Sequence, residues 1–343
     1  MMVFFFLVLL IILFLINFFF RKNKIFFDKS TGLHDSHKKF INIKNNTIPL
    51  SGGFFFLIFL IFITDPVLIF LYAAIFIIGF LSDFHLVTSV KIRIVSQFFI
   101  ILFLVLYSEN TINDIRIPIF NFLLNYQMVS IIFTTFCILI LINGSNFIDG
   151  VNTLLCGYII IVLTVLIYVS NKYSLIFDKM FFQYFLLFLG VFFIFNFLNK
   201  SFLGDSGAYL ISCYLGFSLV LFFQKNDQIS PYFIVVLLWY PAFENLFSIV
   251  KRLLLNKKSY LPDNTHLHHK IFLFLSKKID LNKSQLSTVT GLLINLYNFF
   301  IFLIASQDIT NTKMQIKIIF FNITFYIISY YFLFKKVKKK YAH

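Results

Sequence analysis

Apolar residues fall along this chain in long runs broken by short polar stretches. Eleven runs stand out, at about 3–20, 48–64, 66–81, 94–108, 128–142, 153–170, 180–198, 207–223, 231–250, 286–305 and 316–334. Crossing a bilayer takes roughly 17–25 helical residues, because backbone N–H and C=O groups cannot be left unpaired in lipid. The pattern therefore predicts an all-α, polytopic membrane protein with ten or eleven transmembrane helices. The runs near 66–81, 94–108 and 128–142 are short for this task, so their polar flanks must reach the interface. No Lys or Arg precedes the first run, Phe18-Phe19-Phe20 stands where small cleavage-site residues belong, and Arg21, Lys22 and Lys24 follow. It reads as a retained first helix rather than a signal peptide.

Charge orients the pattern. With residues 21–47, 82–93, 143–152, 199–206, 251–285 and 335–343 on one side, that side carries 23 of the 29 Lys and Arg. The positive-inside rule makes it cytoplasmic, which puts the N-terminus outside and the C-terminus inside. Composition agrees: 60% hydrophobic residues, 13% charged residues and 53 Phe exclude a soluble globular protein. We read residues 1–343 as one membrane domain, with 251–285 as a cytoplasmic loop. A net charge of +15 would suggest nucleic acid for a soluble chain. Here the lysines flank apolar runs, so the expected partner is the bilayer and not nucleic acid. Cys137, Cys156 and Cys213 form no CxxC and say nothing about redox compartment.

In such a chain the informative residues are acids, histidines and glycines near helix ends. Five clusters occur, and the topology places all of them on the lysine-rich side, whereas a secondary transporter would place ionisable groups near the midplane. The first is His37-Lys38-Lys39 with Ile48-Pro49-Leu50-Ser51-Gly52-Gly53. Lysines and a Pro…Gly-Gly turn can approach a phosphate, or the segment is simply a basic loop and a helix start. The second is Ser82-Asp83 with Lys91, Arg93 and Gln97. The third is Asn143 to Asn152, where Asn143, Asn146, Asp149 and Asn152 recur every three residues and Gly144 and Gly150 suggest a broken helix end. Amides and a carboxylate so dense beside an apolar run are costly unless they bind something. The fourth, Phe202-Leu203-Gly204-Asp205-Ser206-Gly207, reads either as a helix cap by Asp205 or Ser206 or as a Mg²⁺-binding carboxylate. The fifth is Pro262-Asp263-Asn264-Thr265-His266-Leu267-His268-His269, whose imidazoles suit phosphate binding or proton shuttling better than zinc, since no cysteine lies nearby. Glu244 with Asn245 lies inside a run and either pairs with a polar neighbour or takes part in catalysis.

Together, in this order, the motifs resemble the polyprenyl-phosphate N-acetylhexosamine-1-phosphate transferases of glycosyltransferase family 4, a group that includes the phospho-N-acetylmuramoyl-pentapeptide transferases. The resemblance runs from the HK…IPLSGG segment to HLHH. It implies transfer of a sugar 1-phosphate from a UDP-N-acetylhexosamine to undecaprenyl phosphate, with release of UMP and a need for Mg²⁺ or Mn²⁺. It further implies a bacterial cytoplasmic membrane, an active site on the cytoplasmic face, and room for a homodimer. On the family's pattern Asp205 is the metal-binding aspartate, and Asp149 in NFIDG an essential acid preceded by Asn146. Asn152 stands where many members have a second Asp that helps hold uridine. Phe202 matches an aromatic that stacks on uracil, Asn196 a nearby amide, and His266, His268 and His269 the HxHH motif for phosphate. Lys38 or Lys39 matches a basic residue of the first loop.

The chain departs from the family at one point. Members carry Asp-Asp where this chain has Ser82-Asp83, so the first carboxylate, sometimes assigned as general base, is missing and Asp83 alone remains. The HLHH spelling is closer to enzymes that begin envelope glycans with GlcNAc or a related sugar than to pentapeptide transferases, which remain the rival within the family. Outside it, the rivals are a catalytically inactive polyprenyl-lipid binder and a lipid transporter.

Overall fold

A computed structural model describes residues 2–27, 48–254 and 266–338. They form thirteen helices in chain order: α1 (Met2–Asn23), α2 (Gly52–Ile61), α3 (Pro66–Asp83), α4 (Val90–Ser108), α5 (Pro118–Leu124), α6 (Gln127–Ile148), α7 (Leu154–Lys172), α8 (Lys179–Phe197), α9 (Gly204–Gln224), α10 (Pro231–Leu254), α11 (Leu267–Leu275), α12 (Lys283–Ala305) and α13 (Thr312–Lys338). Ten are long and apolar enough to cross a membrane. Every full-length span falls on one of the eleven apolar runs. The three short runs grow to 18, 19 and 22 residues by taking their polar flanks into the helix.

The run at 48–64 departs from expectation. Only ten of its residues are helical, about 15 Å, half of a hydrocarbon core. Pro49 and Leu50 are instead extended: the Leu50 N–H donates to Phe26 O, and Pro49 O accepts from the Phe202 N–H. At the other end Asp65 caps α3 by accepting from the Val67 and Leu68 N–H groups, each at 3.0 Å, with Pro66 at the first helical position. The chain nevertheless reverses direction between α2 and α3. Aromatic packing holds α2 in place: Phe55, Phe56 and Phe59 all meet Phe188 of α8, at centroid distances of 4.4, 4.8 and 4.9 Å.

α9 is the central helix, with 89% of its apolar stretch buried against 22% in α1, α4 and α13. Small residues set its contacts. A Cβ on Gly79 of α3 would lie 2.4 Å from Ser206 Cα, and one on Gly53 would lie 2.8 Å from Ser206 Oγ, so α2 and α3 press backbone to backbone on the start of α9. Gly144 also differs from expectation. It lies inside α6 rather than at a break, and it lets Pro241 O of α10 approach to 2.2 Å from where a Cβ would sit. Pro241 cannot donate to Leu237 O, and the Tyr158 hydroxyl of α7 donates to that carbonyl instead, at 2.8 Å.

The loop 251–285 is not wholly irregular. It contains α11, whose Leu267 and Phe272 are buried, and its end already belongs to α12. Asn282 and Gln285 start α12 with a reciprocal capping box.

Candidate active site

The polar clusters that lie in described residues gather at one end of the bundle, in two corners. The acidic corner is built on the start of α9. Gly204 has a φ of +69°, a conformation open to glycine, and a Cβ there would stand 2.7 Å from Asp83 Oδ2. This allows Asp83, at the last turn of α3, to reach over the N-terminus of α9. It accepts from the Asp205 N–H at 2.8 Å, the Ser206 N–H at 3.1 Å and the Ser206 hydroxyl at 2.8 Å. The cap of α9 is therefore a carboxylate from another helix, not Asp205 or Ser206 as the local sequence suggested. The positive end of the helix dipole suits it.

Asp205, freed from capping, faces Ser82 and Arg93. The Ser82 hydroxyl donates to Asp205 Oδ2 at 2.5 Å. Arg93 Nη1, from the first turn of α4, donates to Ser82 Oγ at 2.6 Å and lies 3.2 Å from both Asp205 Oδ2 and the Tyr209 hydroxyl. Asn146 Nδ2 of α6 points to the same Tyr209 hydroxyl at 3.5 Å. Arg93 and Asp205 keep 19% and 26% side-chain exposure, so the corner is open to a ligand.

The histidine corner is closed. Glu244, in α10, is 1% exposed, and its Oε1 lies 2.9 Å from His266 Nδ1 while accepting from the Leu267 N–H at 3.2 Å. The Tyr326 hydroxyl of α13 donates to Oε2 at 2.8 Å. The His266 ring stacks on Phe147 at 5.3 Å and lies nearly parallel to His268 at 5.5 Å, and His268 meets His269 at 4.2 Å. A Cβ on Gly150 would lie 2.5 Å from His268 Nε2. Asp149, half-buried at the C-cap of α6, thus sits between a residue stacked on His266 and a glycine pressed on His268.

A third group braces the two corners. Thr153 adopts φ +66°; its N–H donates to Asn196 Oδ1 at 2.6 Å, while Asn196 Nδ2 donates to Ser201 O at 2.9 Å. The Asn152 N–H donates to Ser287 Oγ of α12 at 2.9 Å, and its side-chain amide donates to Asn199 Oδ1 at 3.1 Å. Phe202 is half-buried, and both its backbone groups bond the 49–52 segment. The Gly-Gly turn of that segment is packed against Leu203 and Gly207 rather than open, and the Gly52 N–H is spent on Phe202 O.

Asp83, Asn146, Asp149, Asn152, Asn196, Phe202, Asp205, His266, His268 and His269 are thus brought to one end. Lys38 and Lys39 lie outside the described residues. Reading the sequence for site residues passed over Tyr209, Ser287 and Tyr326. Tyr209 stands four residues after Asp205 and shares its helix face, a signal that was available. Ser287 and Tyr326 carry no local signal. Among the described residues no three acid, cysteine or histidine side chains form a cage for a metal ion. Asp205, with 26% of its side chain exposed, offers the one carboxylate that fits a Mg²⁺ ion, which prefers one or two carboxylates with water and substrate phosphates.

A polytopic helical bundle with acids, amides and histidines gathered at one end has the layout of an enzyme acting on a polar group at the membrane surface. Residues 66–223, from the start of α3 almost to the end of α9, match the model of glycosyl transferase family 4. An undecaprenyl-phosphate alpha-N-acetylglucosaminyl 1-phosphate transferase of Thermotoga maritima is 28% identical over 263 residues, covering 74% of this chain and 79% of the relative. The match over residues 66–223 and the similarity to this relative support a place for the chain among the polyprenyl-phosphate hexosamine-1-phosphate transferases of that family. The matched stretch holds the acidic corner and Asp149; Glu244 and the three histidines lie beyond it.

Proposed function

We propose that this protein transfers a sugar 1-phosphate, from UDP-GlcNAc or another UDP-N-acetylhexosamine, to undecaprenyl phosphate and releases UMP, as the first step of a lipid-linked envelope glycan. One observation carries the reading: three regions far apart in sequence bring Asp205, Asp149 and His266-Leu267-His268-His269 to one end of the bundle. The relative's activity supports the same reaction.

A phosphate monoester has a second pKa near 6, so the acceptor is largely dianionic at pH 7 and needs little help from a base. Its oxygen attacks the β-phosphorus; the new O–P bond forms as the bond to the bridging oxygen breaks, and UMP leaves with that electron pair. The chain's task is then positioning and charge neutralisation. Asp205 would hold Mg²⁺, which when bound would offset the charge of the diphosphate. Asp83 fixes Asp205 by capping its helix, so the missing first carboxylate at Ser82 removes a charge without removing that support. Arg93 can exchange Asp205 for a phosphate oxygen, and His268 and His269 donate to the acceptor phosphate. Asn152 and Phe202 face the uridine, with Asn196 bracing them. The site works at the cytoplasmic face.

The test is UMP release by purified protein given undecaprenyl phosphate, Mg²⁺ and a panel of UDP-sugars. At least one UDP-N-acetylhexosamine should be consumed with one UMP per lipid product. No transfer from any of them overturns the proposal.

A further inference from the structure

Glu244 belongs to no motif used above, yet both of its carboxylate oxygens are engaged. It sits in the middle of α10, 1% exposed, and its two oxygens meet three groups on two other elements: His266 and the Leu267 N–H at the start of α11 on Oε1, and the α13 hydroxyl of Tyr326 on Oε2. His266 is also the N-cap residue of α11 and offers no side-chain cap of its own, so the carboxylate caps that helix from outside. A buried carboxylate would be expelled unless its lone pairs were met, and here they are.

We propose that Glu244 is a positioning residue for phosphate transfer: it fixes the His266 imidazole with the proton on Nδ1, leaving Nε2 as the ring's acceptor, and ties that choice to α13 through Tyr326. A carboxylate can only accept from Nδ1, so it selects the tautomer. Phe147 and His268 on the flat sides of the ring remove its freedom to turn. The same pairing of imidazole with a buried acid orients histidines in metal sites and in catalytic triads. The C-terminal helix, which looks like a lipid-facing anchor, thereby acts on the site. This inference rests on the transferase reading.

The experiment separates the two. In ¹⁵N-histidine-labelled protein in liposomes, with His266 assigned by loss of its signals in His266→Asn, the wild type should show a protonated Nδ1 and a bare Nε2. Glu244→Gln keeps an oxygen for the Leu267 N–H but can also donate, so it should mix the tautomers. Its kcat should fall about 10- to 100-fold with little change in KM for the UDP-sugar and no loss of folded protein. Tyr326→Phe keeps the Oε1 pair and should cost less, ~2- to 5-fold in kcat. A wild-type His266 with its proton on Nε2, or a Glu244→Gln enzyme with undiminished kcat, overturns the proposal. A wild type that transfers no sugar phosphate would sink the transferase reading instead, while the NMR result would still decide the role of Glu244 in fixing the ring.

Discussion

The two corners of the site are built on opposite principles. In the acidic corner the charged side chains keep a fifth to a quarter of their exposure, and glycines and a carboxylate cap on α9 hold the backbone beneath them. The Arg93–Asp205 pair is part-buried but still reached by water, so its partners can exchange when a phosphate arrives. In the histidine corner the pair is buried, and removing one partner leaves a polar group unmet at about 1–3 kcal/mol. The lesson is a division of labour. Groups that must exchange partners sit where water screens them, and groups that must keep one geometry sit where it cannot.

The strongest way to break this comparison is Asp205→Asn. Because Asp83 caps α9, the fold should survive while transfer falls by about 100-fold or more, measured as UMP release beside thermal unfolding in detergent. Equal losses of stability and rate would mean that Asp205 is structural. Next is Gly79→Ala, whose Cβ would press on Ser206 Cα. It should destabilise by ~1–3 kcal/mol and, by displacing Asp205, reduce transfer ~10- to 100-fold. Unchanged kinetics would show that the acidic corner does not depend on the α3–α9 contact.

Ser82→Asp sharpens the contrast by adding an acid to the exposed corner. Without Mg²⁺ the variant should unfold at lower temperature, because two carboxylates face one arginine. Its half-saturating Mg²⁺ concentration should drop ~3- to 10-fold. A rise in that concentration would contradict the assignment of Asp205. The smallest effect belongs to Tyr158→Phe, which touches neither corner directly and is separated from Tyr326 by the ring of Tyr240. Losing its bond to Leu237 O should cost about 1 kcal/mol or less in thermal unfolding, with transfer unaffected.

Much of the fold was legible because lipid leaves the chain few choices. The run at 180–198 is α8 to within a residue at each end, and the Asp178 cap that starts it is written beside it. The polar clusters were legible for the same reason: amides such as Asn146 and an acid such as Asp149 stand out in apolar surroundings. What could not be read were partners. Gly144 looked like a break and is a contact with Pro241; Asp205 looked like a cap and is freed from that work by Asp83, more than a hundred residues away.

The sequence by itself determined that this is a helical membrane protein with its polar chemistry near helix ends, since unpaired backbone is intolerable in hydrocarbon and apolar runs must become helices. Only the tertiary structure decided that α2 stops at half length, that Glu244 pairs with His266, and that Tyr326 reaches the site. Between helices in lipid there is little hydrophobic force to sort neighbours. Close packing and the meeting of each buried polar atom with a distant partner do the sorting, and those depend on three-dimensional fit that no local pattern encodes.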